Sequence, residues 1–456
     1  MVKNMKFNIK KLSLKTNLNQ KIAIAFFLII ILGTVALMLP ISTKTPGSIG
    51  LVTSLFTSTS AVCVTGLSVV DVWSTYSFFG QFIILLLMET GGLGFMSVIS
   101  ILVHFTRQHT TIESLSLMSE SLGSDAVIKD IARIQKRLLI GSAFFELVGA
   151  IILCINFIPT LGLKDAIWFG IFHSVSAFCN AGFDLFGKIA PGSGLTTLNE
   201  NPVVLVTVAI LITVGGIGFI VWDDIVSSKN MRRWSIYTKL VLITTFSLII
   251  IGTILFYILE CNNAETFGYM DSALKVVHSF FQSVTPRTAG FAAVDQASLS
   301  DASIALTSIL MIIGGSTGST AGGIKTVTAL IVLKAAFSSA LGKKSTTIFK
   351  RAITQEQIKN SYTILNLFLF LSIIGSFVIY LSSGVSFAES LFESISALAT
   401  VGLSLGITGS LSLLSRLIII VFMYIGRVGL LTLTMGFLKT KDTGSIKYPS
   451  VKLLIG

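Results

Sequence analysis

The chain has 456 residues, of which 53% are hydrophobic and only 12% are charged, and its formal net charge is +12. Globular domains average roughly a quarter charged residues, so this composition excludes an ordinary soluble domain and indicates a polytopic membrane protein. The basic residues lie in the loops between apolar runs, so membrane topology explains the positive charge and we expect no nucleic-acid partner.

The N-terminal leader is dotted with lysines and precedes the apolar run IAIAFFLIIILGTVALML. This run is longer than the 7 to 15 apolar residues of a signal peptide, so we expect a retained first helix that spans the membrane. Further runs, at 138–158 and 203–221, are also close to the ~20 residues that a spanning helix needs.

Four windows of the sequence align without a gap when each is made to end on a glycine. They are FTSTSAVCVTG, FHSVSAFCNAG, FFQSVTPRTAG and FESISALATVG, which end on Gly66, Gly182, Gly290 and Gly402. Each window is too short to cross a bilayer, yet it follows one apolar run and precedes another. The repeating unit is therefore predicted to be a helix, a re-entrant loop and a second helix.

A second glycine motif follows each window, as GGLGF, GGIGF, GGSTG and GRVGL. We expect each near the middle of the second helix of its unit, where small residues allow close helix packing. The predicted fold class is an all-α polytopic membrane protein, with eight spanning helices and four re-entrant segments around a pseudo-fourfold central pore. The predicted divisions are a leader at 1–20, repeats at 21–105, 138–226, 236–338 and 359–438, and a tail at 439–456.

The distribution of lysine and arginine predicts the orientation. Most basic residues lie in the leader, the loops between repeats and the tail, and few lie near the four windows. The positive-inside rule then places both termini in the cytoplasm and the re-entrant loops on the outer side of the cell membrane.

Four re-entrant loops around one axis would bring four backbone segments together within the membrane. Rings of backbone carbonyls in such segments replace the water around a dehydrated ion, and glycine reaches the conformations that turn carbonyls inward. The predicted ion-binding residues are Val64, Thr65, Gly66, Asn180, Ala181, Gly182, Thr288, Ala289, Gly290, Thr400, Val401 and Gly402.

The motifs VTGL, CNAGF, TPRTAGF, ATVGLS, GGSTGSTAGGIK and IGRVGLLTL occur in this order along the chain. Together they resemble the membrane subunit of Ktr-type potassium transporters, in the Trk/Ktr/HKT superfamily, over essentially the whole chain. The resemblance implies potassium uptake through a filter like that of potassium channels. In HKT relatives a serine at the first filter glycine accompanies sodium selectivity, so the four glycines here favour potassium, with a sodium-permeable channel of the same fold as the alternative.

The resemblance also implies partners. It implies a homodimer in membrane lipid that docks on a cytoplasmic ring of nucleotide-binding regulatory subunits of the RCK/KTN type. No covalent cofactor is expected, K+ is the transported ion, and Na+ as an activator is left open.

The run GGSTGSTAGGIK interrupts a helix that would otherwise extend over 301–334, too long for one straight crossing. By resemblance, the glycine-rich loop at 314–323 lies beneath the filter as a gate, and an arginine of the last helix contacts it. The gate residues implied are Gly314, Gly315, Ser316, Thr317, Gly318, Ser319, Thr320, Ala321, Gly322, Gly323 and Arg427. Alternatively, Arg427 pairs with Glu89 or with a helix end.

Several other polar residues carry narrower expectations. Three acidic residues follow the windows, and they either attract cations to the pore mouth or are ordinary loop residues. These are Asp71, Asp184 and Asp295. Cys63 and Cys179 are expected to pack as small side chains behind the filter, and Arg287 to pair with a carboxylate such as Glu393.

Enzymatic interpretations are weaker. The GGSTG run fits the G-x-S-x-G motif of serine hydrolases, but that motif needs a histidine later in the chain, and all four histidines precede it. The same region differs from the P-loop motif of nucleotide-binding proteins by one residue in its spacing. A lipid-processing enzyme would need an acid/base pair or metal ligands within the membrane. Only Glu89, Glu146 and Arg427 lie clearly within spans, and the sequence shows no cluster among them, so no enzyme activity is predicted.

Overall fold

The computed structural model of the chain describes residues 18–45, 47, 49–94, 128–228 and 230–430. Helices make up most of this part of the chain. Most of the predicted leader at 1–20, the end of the first repeat at 95–105 and the tail at 439–456 lie outside the described residues. The other predicted limits of the repeats stay predictions.

The helices follow one another in four similar units. Unit 1 contains α1 (Leu18–Met38), α2 (Leu51–Val62), α3 (Val72–Thr75) and α4 (Phe78–Gly92). Unit 2 contains α5 (Ile128–Leu161), α6 (Leu163–Phe178), α7 (Pro202–Ile217) and α8 (Phe219–Ser227). Unit 3 contains α9 (Ile236–Glu260), α10 (Ser272–Val284), α11 (Asp301–Ile312) and α12 (Thr326–Ala340). After the antiparallel hairpin β1 (Thr347–Ile348) and β2 (Arg351–Ala352), unit 4 contains α13 (Gln355–Ser383), α14 (Phe387–Leu398) and α15 (Leu413–Val428).

The first helix of each unit is long enough to cross a membrane. The candidate spans in the described residues are Gln20–Met38, Lys136–Leu161, Ile236–Glu260 and Gln355–Ser383, which lie in α1, α5, α9 and α13. Apolar side chains on these helices face outward, and Leu32, Ile155 and Leu381 are each more than 60% exposed. A surface of this kind suits lipid tails and not water.

Glycines interrupt the second helices within the described residues. In the described residues only α7 and α8 together are long enough to span, and they bend by 88° at Gly218. Gly94 after α4 and Gly429 after α15 also have positive φ, like Gly218, and an α-helix does not continue through that conformation. In unit 2 the motif therefore lies at a sharp bend between two helices, and in units 1 and 4 the residues beyond the motif lie outside the described part of the chain, so the eight spans stay a prediction.

The short helix before each glycine window forms the core of its unit. We call α2, α6, α10 and α14 the pore helices. Each has a buried phenylalanine in it, namely Phe56, Phe172, Phe281 and Phe392. The first glycine of the second motif packs against the last turn of the pore helix in units 1, 2 and 4. A Cβ atom there would overlap a carbonyl oxygen, for the pairs Gly91 and Val62, Gly215 and Phe178, and Gly426 and Leu398.

Candidate ion pathway

The residues that end the four windows meet in a closed ring. We call them the glycine segments: 64–66, 180–182, 288–290 and 400–402. A Cβ atom built on any of the four glycines would come within 2.7 Å of a backbone carbonyl oxygen in the next unit. The pairs of glycine and carbonyl are Gly66 and Ala181, Gly182 and Ala289, Gly290 and Val401, and Gly402 and Thr65. The pairs run from unit 1 through units 2, 3 and 4 back to unit 1, so the segments surround one axis.

The backbone of each glycine segment has the same unusual conformation. All four glycines have φ between 69° and 96°. The residue two places before each glycine also has positive φ, although none of these residues is glycine: Val64 (55°), Asn180 (59°), Thr288 (72°) and Thr400 (52°). Such residues cost about 1–3 kcal/mol each and persist where the surrounding structure holds them. Left-handed residues at alternate positions turn successive carbonyls to one side, as a ring of carbonyl ligands requires.

Hydroxyl groups of the pore helices hold the glycine segments from behind, a feature that the sequence analysis missed. Ser60 Oγ accepts a hydrogen bond from Gly66 N at 3.1 Å, and Ser396 Oγ accepts one from Gly402 N at 3.1 Å. In unit 2, Ser176 Oγ donates to the carbonyl of Phe183 at 2.7 Å. The signal was present, because a serine stands six residues before the glycine in three windows.

The third window is one residue shorter than the gapless alignment assumed. In units 1, 2 and 4, the serine eight residues before the ring glycine donates a hydrogen bond to the backbone of the first helix of its unit. In unit 3 the serine that makes this contact is Ser283, which stands only seven residues before Gly290. The donors and acceptors are Ser58 and Ile30, Ser174 and Glu146, Ser283 and Ile249, and Ser394 and Ser372. Thr285 likewise takes the role of Ser176, donating to Phe291 O at 2.6 Å. The four windows therefore match in contacts and not in strict spacing.

The carbonyl ends of the pore helices directly precede the glycine segments. A helix C-terminus carries a partial negative charge, which favours a cation nearby. Cys63 and Cys179 cap two of these ends, and both are fully buried and free of disulfides. This agrees with the expectation that they pack as small side chains.

A loop of 13 residues, 313–325, separates α11 from α12 and is closed at its base. Gly314 N donates to Ile324 O at 2.9 Å, and Thr326 N donates to Gly315 O at 3.0 Å. The predicted interruption of this helix is therefore present. The helix breaks at Ile313, and the loop leaves the helix axis before α12 begins.

The 313–325 loop contacts units 2 and 4. Ser316 N donates to Gly216 O at 3.0 Å, and Thr320 Oγ1 donates to Phe178 O, at the end of a pore helix, at 3.2 Å. On the other side, a Cβ atom on Gly322 would overlap the hydroxyl of Thr400, in the fourth glycine segment. The loop therefore lies directly against the pore helix of unit 2 and the glycine segment of unit 4.

Arg427 links this loop to unit 1. Its guanidinium donates to Thr320 O in the loop and to Gly91 O, and it lies 3.3 Å from Gly92 O at the end of α4. Both expectations for this arginine, a contact with the loop and a contact with a helix end, are met at once. Glu89 is not among the partners that the structure gives it.

The expected pair of Arg287 and Glu393 does not form. Arg287 Nη2 lies 3.5 Å from Thr245 Oγ1, on the first helix of its own unit. The carboxylate of Glu393 instead accepts a hydrogen bond from Thr408, in the segment after the fourth glycine segment. The two side chains leave the ring toward different elements, so the expectation is wrong.

Two carboxylates on apolar helices of neighbouring units do come together, contrary to the expectation from sequence. One ligand atom each from Glu89, Glu146 and Cys179 lie within 4.8 Å of one another. Cys179 Sγ donates to Glu89 Oε2 at 3.4 Å. The cluster joins α4 of unit 1 to α5 of unit 2, a contact between distant parts of the sequence.

A cavity of about 570 Å³ opens over the ring, and we call it the vestibule. All four ring glycines line it, as do the three acidic residues predicted near the pore mouth, Asp71, Asp184 and Asp295. Burial raises the pKa of Asp184 to about 6, with a further contribution from the nearby Asp71 charge. A hydrogen bond from Phe186 N opposes that rise in pKa.

The chain is similar to known cation transport proteins. The profile of the TrkH cation transport proteins matches residues 2–447. The chain is 37% identical to the Ktr system potassium uptake protein B of Bacillus subtilis, over 96% of each chain. It is 36% identical to the potassium/sodium uptake protein NtpJ of Enterococcus hirae, over 96% of this chain and 97% of that one. The crystal structure of the potassium transporter TrkH from Vibrio parahaemolyticus has the same fold, with a TM-score of 0.72, 17% identity, and coverage of 95% of this chain and 86% of that one.

Proposed function

Because the chain belongs to the TrkH family of cation transport proteins, we propose that its four glycine segments form a selectivity filter through which potassium enters the cell. The observation that carries this proposal is the closed ring of contacts between each glycine and a carbonyl of the next unit. A ring of four backbone segments offers carbonyl oxygens from every side to an ion on its axis.

At a coarser level the assignment is direct. The chain is a multi-pass membrane protein of the Ktr/TrkH family that takes up potassium, or potassium and sodium, and it is not an enzyme. The lipid-processing alternative is therefore set aside, and the cluster of Glu89, Glu146 and Cys179 needs no catalytic role.

The choice between potassium and sodium rests on the ring glycines. All four positions are glycine, so each carbonyl ring is free of side chains that would distort it. A sodium-permeable pore of the same fold remains the second candidate, since one relative is described as a potassium/sodium uptake protein.

The gate in this proposal is the loop residues 314–323 together with Arg427. Support comes from the contacts of the loop with Phe178, at the end of the pore helix of unit 2, and with Thr400, in the glycine segment of unit 4. Its glycine, serine and threonine residues carry small side chains that are able to bond to nearby backbone groups and to leave little bulk when they move. Arg427 then restrains the loop from the neighbouring helix and brings a positive charge beneath the filter.

The proposed assembly follows the relatives called Ktr system proteins, a name that implies further components. We infer a homodimer that docks its cytoplasmic face on a ring of nucleotide-binding regulatory subunits, with both termini in the cytoplasm. Sodium is proposed as an activator and not as a tightly held cofactor.

Uptake of radioactive rubidium into potassium-loaded proteoliposomes tests the proposed selectivity. We expect external potassium to block uptake, whereas sodium at the same concentration does not block it and, as the proposed activator, leaves it unchanged or raises it. Equal competition by sodium would support the second candidate, and an absence of flux, with or without regulatory subunits, would contradict transport through this ring.

A further inference from the structure

Three pore helices tie down the segment that follows their glycine segment in the same way. Ser174, Ser283 and Ser394 are the pore-helix serines that donate to the first helix of their unit. The residue just before each of them is polar, buried and hydrogen-bonded to the segment that follows the glycine segment. The contacts are His173 with Leu185 N at 3.2 Å, Gln282 with Gln296 at 2.8 Å, and Glu393 with Thr408. All three partners lie in or beside the walls of the vestibule.

Glu393 differs from its counterparts in charge and in how few partners it has. The side chain is fully buried, its Oε1 accepts from Thr408 Oγ1, and its Oε2 has no hydrogen-bond partner. No ion pair in the described part of the chain involves this carboxylate. A buried carboxylate is costly without hydrogen bonds, so the bond from Thr408 is its principal compensation.

This hydrogen bond fixes what the fourth wall of the vestibule presents to an ion. A hydroxyl group has one hydrogen and two lone pairs. Thr408 Oγ1 has two acceptors within reach, Glu393 Oε1 and Ser404 Oγ at 3.0 Å, and the contact with the carboxylate is the shorter one. With its single hydrogen given to Glu393, Thr408 has only lone pairs left for the vestibule that it lines. Oxygen lone pairs attract a hard cation, whereas a hydroxyl hydrogen repels it.

The other three units bring carboxylates to the vestibule, and the fourth does not. Asp71, Asp184 and Asp295 belong to units 1, 2 and 3. The vestibule residues of unit 4 are Gly402, Leu403, Ser404, Gly406, Thr408 and Gly409, none of them acidic. The carboxylate of this unit is the one behind the wall, Glu393.

We propose that Glu393 is a positioning residue for the incoming cation: it takes the hydroxyl hydrogen of Thr408, so the fourth wall of the vestibule faces K+ with oxygen lone pairs. The proposal rests on the proposed function of the ring as a potassium filter. It adds an outer binding position at the one wall of the vestibule that has no carboxylate of its own.

Rubidium uptake at varied concentration, in proteoliposomes of the full-length protein, tests the proposal. Glu393→Leu removes the acceptor and Thr408→Val removes the hydroxyl without changing its size. Each is expected to raise the half-saturation concentration roughly fivefold with the maximal rate unchanged, as the loss of one hydrogen bond permits. Because both break the same bond, the double variant is expected to shift the half-saturation concentration no further than either single variant.

Conservative variants separate positioning from charge. Glu393→Gln keeps an oxygen that accepts from Thr408, and Thr408→Ser keeps the hydroxyl, so both are expected to transport with the wild-type half-saturation concentration. Glu389→Gln is the matched control, since Glu389 lies one turn earlier on the same helix, is only partly buried, and caps Ser386 N. A general effect of carboxylate loss on this helix would appear in the Glu389→Gln variant as well.

Each contrary result has a distinct meaning. An unchanged half-saturation concentration in Thr408→Val, or the same rise in Glu393→Gln as in Glu393→Leu, would overturn the proposal, as would additive shifts in the double variant. If Glu393→Leu does not accumulate as folded protein, the comparison of Thr408→Val with Thr408→Ser decides alone. A wild-type protein without rubidium uptake would instead contradict the proposed filter.

Discussion

Replacing Gly182 by alanine tests whether the ring glycines are required for their position or only for their backbone conformation. The matched control is Gly384→Ala, because Gly182 and Gly384 both have φ of 69°. A left-handed alanine costs about 1–2 kcal/mol, so both variants pay this conformational cost equally. At Gly384 no heavy atom lies within 4 Å of the added Cβ. At Gly182 the Cβ would lie 2.7 Å from Ala289 O and 3.2 Å from Gly290 Cα, so the neighbouring segment must shift.

The assay is rubidium uptake per reconstituted protein, with thermal unfolding measured on the same preparations. Both variants are expected to lose about 1–2 kcal/mol of stability from the left-handed alanine, and Gly182→Ala is expected to lose more because the neighbouring segment must shift. Gly384→Ala is expected to retain wild-type uptake. Gly182→Ala displaces a carbonyl of the ring, so its uptake is expected to fall by roughly tenfold or more, which corresponds to about 1.4 kcal/mol in the activation free energy of ion passage. Wild-type uptake and potassium selectivity in Gly182→Ala, or an equal loss in Gly384→Ala, would refute the reasoning.

Three further predictions concern the gate and the vestibule. Arg427→Ala is expected to raise uptake, because it frees the loop at Thr320 and removes a positive charge; loss of folded protein would show a structural role instead. Tyr237→Phe deletes only the hydroxyl that donates to Thr317 O at 3.0 Å, and one such bond is worth about 0.5–1.5 kcal/mol, so we expect a roughly two- to tenfold rise in uptake; unchanged uptake would show that this contact does not restrain the gate. The pKa of Asp184, about 6, means that lowering the pH of the vestibule side from 7.5 to 5.5 adds a proton, removes a negative charge and raises the half-saturation concentration for rubidium. Asp184→Asn should remove this part of the pH dependence, and an identical pH profile in that variant would contradict the prediction.

The order of the elements follows from the sequence alone, because it is encoded in local patterns. Apolar runs, the repeated glycine windows and the glycine-rich interruption at 314–323 each specify a local structure, and the structure has a helix, a window or a loop at each of them. The ring itself was also expected, since four equivalent loops have few other ways to meet.

The details that sequence could not provide depend on contacts between distant residues. Nothing in the side chain of Val64 predicts positive φ, which the pore-helix hydroxyls and the neighbouring segments impose. The pairing of Glu89 with Glu146 joins two units, and the spacing of residues within either helix does not report it. The register of the third window was misjudged because the glycine and phenylalanine anchors match without a gap, whereas the contacts of Ser283 show one residue fewer.

The helix ends show the same limit in another form. Glycine in an apolar run is compatible both with close helix packing and with termination of the helix. At GGIGF both occur, since Gly215 packs against Phe178 O and Gly218 ends the helix. Only the φ of each glycine separates the two roles, and φ is set by the surrounding units.

The most direct test of the account is to locate bound ions by the anomalous scattering of rubidium in crystals of the protein grown with rubidium in place of potassium. The account predicts density on the axis of the ring, between the carbonyl oxygens of Thr65, Ala181, Ala289 and Val401. Rubidium density confined to the vestibule or elsewhere, with none between these four carbonyls, would contradict the central claim that the glycine segments form the filter.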